Sequence, residues 1–291
     1  MITLKSYAKI NLSLDLVGKR DDGYHLLRTV MQTVSLCDII KMKRRRSGIS
    51  VSCNLRYIPT DGRNIVYKVA QAFFDYTGFN GGVSLNLKKH IPCGAGLGGG
   101  SSNGAAVLDG LCRLYDIEIS PGERVKLTER IGADIPFFVY GGTALCEGIG
   151  EQVTPQKPMP ECWFVISKPR VSLSTAAVFS SELTAQRFGC GSTDSVLSAL
   201  EKGSVRDIFS GAQNALEPAS VSLCPVINDI KRMMYDNGAC FSMMSGSGSA
   251  VYGVFASHPS AARAYGVLKD KFADTCIAKP TEKSFELISG I

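Results

Sequence analysis

The chain lacks any uninterrupted apolar run of on the order of 18 residues, the length that a membrane-spanning helix needs. Its opening stretch, MITLKSYAKINLSLDL, lacks a long apolar segment followed by a small-residue cleavage site, which argues against export and for a cytoplasmic address. Paired cysteines are also missing. The ten cysteines stand singly at 37, 53, 93, 112, 146, 162, 190, 224, 240 and 276, with no Cys-x-x-Cys spacing. That pattern disfavours structural zinc and a disulfide framework, and a chain of 291 residues builds its core without staples. Reduced thiols acting mostly as small core residues are expected. The three histidines (His25, His90, His258) form no metal-ligand cluster in sequence, and there is no internal repeat or low-complexity segment.

What is present is an ordinary globular composition, 45% hydrophobic and 20% charged, with a formal net charge of +6. The main basic concentration runs from Lys41 to Arg46. No aromatic residues interleave with it, so it reads as a solvated turn between strands rather than a nucleic-acid patch. Neither a nucleic-acid nor a membrane partner is expected, and a monomer or weak homodimer handling polyanionic small molecules suits the charge.

Residues 8–17 alternate, with Ile10, Leu12, Leu14 and Leu16 on one face and Lys9, Asn11, Ser13 and Asp15 on the other, which predicts a half-buried strand. Further strands are expected at 35–44, 49–54 and 83–87, and a helix over 64–77. Another helix is expected over 105–115. Ser120, Pro121 and Glu123 then spell a helix start with a capping box. Prolines at 155–160 suggest a boundary, dividing the chain into domains 1–156 and 157–291. The second half carries strands at 162–167, 240–244 and 250–255 and helices near 193–201, 225–237 and 260–272. Strands and helices mix without regular βαβ alternation, which indicates the α+β class.

The most informative segment is Pro92-Cys93-Gly94-Ala95-Gly96-Leu97-Gly98-Gly99-Gly100-Ser101-Ser102. Its five glycines in seven positions free the backbone for positive φ and let N–H groups converge on an anion. The serines then open a helix whose N-terminus favours phosphate. A plain flexible turn is the alternative, but it needs no such density of glycine. A Walker A loop would carry Lys-Ser/Thr after its last glycine, which is missing here. Gly94, Gly96 and Gly99 do satisfy the dinucleotide fingerprint Gly-x-Gly-x-x-Gly, so an oxidoreductase stays open. That fingerprint belongs after the first strand of a βαβ unit, whereas here it follows some eighty β-rich residues.

This segment resembles the central ATP-binding motif of the GHMP kinases. Ala8-Lys9-Ile10-Asn11-Leu12 and Ser245-Gly246-Ser247-Gly248-Ser249-Ala250 are similar to that superfamily's first and last motifs. Gly18 to His25, Asp61 to Ile65, Gly98 to Ser102 and Gly132 to Pro136 are similar to the branch that phosphorylates the 2-hydroxyl of a cytidine-diphosphate-linked methylerythritol, in the non-mevalonate isoprenoid pathway. The resemblance implies a two-domain α+β fold with the active site in the cleft between domains, ATP as donor and Mg²⁺ as helper ion. No protein ligand for the metal is assigned.

Carried over position by position, the resemblance makes Asp134 the base and Lys9 its partner, an ammonium that polarises the substrate hydroxyl. Taken without the family, Asp134 reads equally as a helix-cap carboxylate and Lys9 as a solvated strand residue. The ATP contacts implied are Asn64, which also reads as an ordinary N-cap, and Pro92, Gly94, Ala95, Gly96, Leu97, Gly98, Gly99, Gly100, Ser101 and Ser102. The acceptor contacts implied are Asn11, Tyr24, His25, Thr175 and Phe179, with His25 at the cytosine edge and Tyr24 and Phe179 on its faces; core packing is the other reading of Phe179. Base stacking of this kind is worth roughly 1–3 kcal/mol. Mevalonate, phosphomevalonate and homoserine remain alternative acceptors, and a non-catalytic nucleotide-binding protein is a further option.

Overall fold

The computed structural model describes residues 1–290. The chain begins with two long strands, β1 (Ile2–Lys19) and β2 (His25–Arg45), followed by β3 (Gly48–Cys53), α1 (Ile65–Thr77) and β4 (Gly82–Lys88). Next come α2 (Gly99–Tyr115), α3 (Pro121–Thr128), α4 (Ile135–Tyr140), β5 (Thr143–Gly148) and β6 (Gln152–Pro155). The second half opens with β7 (Trp163–Lys168), α5 (Thr175–Phe179), α6 (Glu182–Ala185), α7 (Thr193–Lys202) and α8 (Val205–Ser210). It continues through α9 (Glu217–Leu223), α10 (Val226–Asp236), β8 (Phe241–Met244), β9 (Val251–Phe255), α11 (His258–Lys271), β10 (Asp274–Ala278) and β11 (Phe285–Ser289).

These form two sheets. One runs β11-β1-β2-β4-β3, with β5 against the first part of β2 and β6 against β5; the other runs β10-β7-β9-β8. The mixed α+β class is as expected. The boundary expected at 156/157 falls between β6 and β7, and the chain recrosses it at its end, where β11 pairs antiparallel with β1. None of the helices among the described residues is long and apolar enough to cross a membrane.

β1 joins the two halves. Ile2 and Leu4 pack with α1 and α2 side chains such as Val69, Phe73 and Leu108. Ile10 and Leu12 pack against the second sheet through Phe164 and Tyr252, while Leu14 and Leu16 join Ile227 and Leu268. Burying each such side chain is worth roughly 1.5–3 kcal/mol, so one strand ties three apolar clusters together. The expectation of a half-buried strand is corrected here. Lys9, Asn11, Ser13 and Asp15 are all 5% exposed or less, because the polar face of β1 looks into the protein rather than out of it.

Local signals in the sequence act as their chemistry predicts. Ser120 and Glu123 form the reciprocal capping box at the start of α3. The basic run is solvated as expected but is not a turn: Lys41 to Arg45 are the last residues of β2, paired with β4, with Lys41 and Lys43 to Arg45 exposed, and only Arg46 and Ser47 make the bend into β3. α2 begins six residues before the expected 105, so Gly99 and Gly100 are its first turn rather than loop.

Candidate active site

The cleft between the two halves encloses about 1380 Å³. That exceeds the roughly 300–1,000 Å³ of an ordinary single-ligand pocket and leaves room for two substrates side by side. One wall is the glycine segment. Gly94, Gly96 and Gly98 take φ of 59°, 75° and 65°, which a side chain would resist. Gly98 is also the N-cap of α2, with no side-chain cap bond and no acidic residue in the first turn. The first N–H groups of a 17-residue helix therefore face the cleft without an internal competitor for an anion.

The second glycine segment clasps the first. Ser245 Oγ donates to the Gly96 carbonyl at 2.9 Å, and the Ala250 N–H donates to the Ala95 carbonyl at 3.2 Å. Asn214 Nδ2 donates to the Met244 and Gly246 carbonyls at 2.9 and 2.8 Å, bracing the segment from behind. The approach is so close that a Cβ on Gly96 would lie 2.0 Å from the Ser245 carbonyl oxygen.

Facing this wall are Lys9 and Asp134. Lys9 Nζ lies 3.7 Å from Asp134 Oδ2, with side-chain exposures of 4% and 31%. The ammonium is aimed by Asn11, whose Oδ1 accepts from Nζ at 2.7 Å, and Asn11 Nδ2 donates in turn to Thr29 Oγ1 at 2.8 Å. Asp134 sits at the N-cap position of α4, yet its side chain makes no capping bond. The helix-cap reading of this carboxylate is thereby set aside; its oxygens face Lys9 and the cleft.

The far end of the cleft is aromatic. Arg20 to Tyr24 closes a turn in which the Arg20 N–H donates to the Tyr24 carbonyl at 2.7 Å and Gly23 takes φ of 88°. The turn leaves Tyr24 61% exposed and starts β2 at His25. The His25 ring lies 5.2 Å from Phe179 and 5.6 Å from Phe188. Burial, and then the charge of Lys19, hold the His25 pKa below its usual value. Thr175, at the first position of α5, shares a hydrogen bond with Ser247 Oγ at 3.0 Å, linking this end to the second glycine segment.

All the residues that the sequence nominated line this one cleft except Ser102. Ser102 is fully buried; its Oγ donates to the Tyr7 carbonyl at 2.5 Å and shares a hydrogen bond with Ser6 Oγ at 2.6 Å. It faces the core because it stands one residue past Ser101 on the helix, and successive helical residues point about 100° apart. Asn64 lines the cleft and also caps α1, accepting from the Val66 N–H at 3.1 Å.

Sequence reasoning missed two features. Lys89 lines the cleft and pairs with the buried Asp38, and its Nζ donates to Asn103 Oδ1 at 2.7 Å. Nothing in the local pattern links positions 38, 89 and 103. Phe188 stands in a short glycine-rich connection with no periodicity to mark it. Among the described residues no three Asp, Glu, His or Cys side chains gather as a metal cage. The donor set of the phosphate wall is Ser101 plus backbone, which fits a Mg²⁺ carried chiefly by nucleotide phosphates.

Against known proteins, residues 64–142 match the model of the GHMP kinases N terminal domain and residues 196–274 that of the GHMP kinases C terminal domain. A 4-diphosphocytidyl-2-C-methyl-D-erythritol kinase of Clostridium novyi (strain NT) is 42% identical over 275 residues, covering 94% of this chain and 98% of that protein. A crystal structure of a 4-(cytidine 5'-diphospho)-2C-methyl-D-erythritol kinase superposes with a TM-score of 0.83 at 32% identity, over 96% and 99% of the two chains. A homoserine kinase from Cytophaga hutchinsonii superposes at 0.77 over 99% and 97%, but at 18% identity it shares the fold alone.

Proposed function

The chain belongs to the GHMP kinases, in their 4-diphosphocytidyl-2-C-methyl-D-erythritol kinase branch, and from that membership we propose that it transfers the γ-phosphoryl group of ATP to the 2-hydroxyl of 4-diphosphocytidyl-2-C-methyl-D-erythritol. The observation that carries the reading is the Lys9–Asp134 pair, 3.7 Å apart, opposite a backbone cradle at the start of a helix. Phosphoryl transfer asks a protein mainly for positioning and charge neutralisation, and the cleft offers both.

In this reading the N–H groups of residues 94–101 hold the triphosphate, and Asn64 lies beside the adenosine. Asp134 accepts the proton of the attacking hydroxyl. Lys9, aimed by Asn11, polarises that hydroxyl and balances the carboxylate's charge. A bound Mg²⁺ supplies further neutralisation of phosphate charge, and Ser101 Oγ is the side chain that would hold it. Ser102 has no part in this, since both its bonds are internal.

The aromatic end of the cleft favours a base-tagged acceptor over homoserine or mevalonate, which offer no ring to stack upon. Tyr24, His25 and Phe179 supply the faces and the edge, and Thr175 lies where the tag meets the second glycine segment. The ten cysteines are all unpaired, which accords with a cytoplasmic site of action. The test is an acceptor panel with purified protein, ATP and Mg²⁺. The cytidyl-methylerythritol substrate should be phosphorylated, with homoserine, mevalonate and phosphomevalonate left unchanged. Preferential turnover of any of the latter three contradicts the reading.

A further inference from the structure

The acceptor reading above accounts for Tyr24, His25 and Phe179, but it leaves Phe188 without a role. Phe188 lines the cleft, and its ring stands 5.6 Å from His25 with the two planes only 18° apart. Phe179 meets the same imidazole at 5.2 Å but tilted by 36°, and it also packs against the core of the second half. The near-parallel contact is therefore the one that fixes the plane of the His25 ring. An imidazole in a half-exposed strand end otherwise turns about its last side-chain torsion, which is broad for histidine.

Phe188 is itself tied down. Its backbone bridges to Leu16, and the next N–H, of Gly189, donates to the Leu16 carbonyl at 3.2 Å. Leu16 is fully buried in β1, so the backing ring is fastened to a strand whose apolar side chains join three core clusters. His25 opens β2 in register with Lys19, the last residue of β1. Both rings of the stack thus refer to the same strand. Phe188 is nevertheless 36% exposed, more than core packing alone would leave a phenylalanine in this position.

We infer that Phe188 is a positioning residue for acceptor recognition: by stacking on His25 it sets the plane in which the imidazole edge meets the nucleobase. It acts through His25 and selects base-tagged acceptors without touching the transferred phosphate. This inference rests on the proposed acceptor, and its test separates the two claims.

The experiment is a double-mutant cycle on kcat/KM for the cytidyl acceptor, using wild type, Phe188→Ala, His25→Ala and the double variant. A stacked aromatic contact of this kind predicts roughly a two- to tenfold loss for Phe188→Ala, with the KM for ATP unchanged. Phe188→Tyr should restore the wild-type value, since it keeps the ring. In the His25→Ala background the Phe188→Ala effect should vanish, because its only route is gone. The imidazole Hε1 resonance of His25 should also move when the Phe188 ring is removed, in the absence of any substrate. Equal losses in both backgrounds, no loss at all, or an unmoved His25 resonance overturns the inference. Failure of wild type to use the cytidyl acceptor overturns the acceptor reading instead.

Discussion

Asp134 occupies the cap position of α4 and leaves it uncapped, so its carboxylate is directed at Lys9. Asp134→Asn keeps the shape and removes the proposed base. Turnover should fall by about 10²–10⁴, the usual contribution of a positioned base, with the KM for ATP little changed. Steady-state kinetics on the purified variant decide this, and near-wild-type kcat would remove the assigned role. His25 gives a pH prediction. Its pKa lies below the ordinary 6.5, so the ring is neutral above that value and gains its proton only as the pH falls further. If the neutral ring meets the base, acceptor KM is flat above pH 6.5 and rises below it, while the KM for ATP stays level. A rise on the alkaline side contradicts the assignment. At this scale the sequence spoke through motif position alone. Single residues carry no record of their partners, which is why Lys89 with Asp38, and Phe188 with His25, escaped notice.

Among the elements, the paired glycine segments are the most constrained. The sequence displayed them openly, because five glycines in seven positions have few structural uses. It could not show that one segment clasps the other, nor that Gly99 and Gly100 are already helical. Gly96→Ala tests the clasp. The new Cβ would lie 2.0 Å from the Ser245 carbonyl oxygen, at a φ of 75° that costs a side chain about 1–2 kcal/mol in addition. The variant should lose at least roughly tenfold in ATP affinity and show a much reduced rise in Tm on adding ATP. An undiminished rise in a scanning-calorimetry or dye-based melt speaks against the loop as the nucleotide cradle. β1 teaches the opposite lesson. Its alternation was legible, but the usual inference that the polar face meets water failed, because Lys9 and Asn11 point into a cleft.

For the molecule as a whole, the α+β class and the longer elements are readable from periodicity and turn chemistry, whereas β5, β6, β10 and the closing of the chain are not. β11 is a short strand with no distinctive pattern, and only its pairing with β1 shows that the end of the chain returns to the first sheet. The short helices α4, α5, α6, α8 and α9 are unread for a related reason, since four to seven residues give too few turns for a period. The cysteines are unpaired, as expected, but only Cys112, Cys146, Cys162 and Cys224 are core residues, and Cys190 and Cys240 are exposed; burial pushes Cys162 and Cys276 up to about 12. What the whole fold achieves is to bring β1, the start of α2 and the uncapped end of α4 to one cleft. The most direct measurement is a crystal structure of the protein with a non-hydrolysable ATP analogue and the cytidyl acceptor. The triphosphate should lie on the N–H groups of residues 94–101, with the acceptor 2-hydroxyl within hydrogen-bond reach of Asp134. A triphosphate bound elsewhere, or an Asp134 carboxylate turned away from that hydroxyl, would contradict the account.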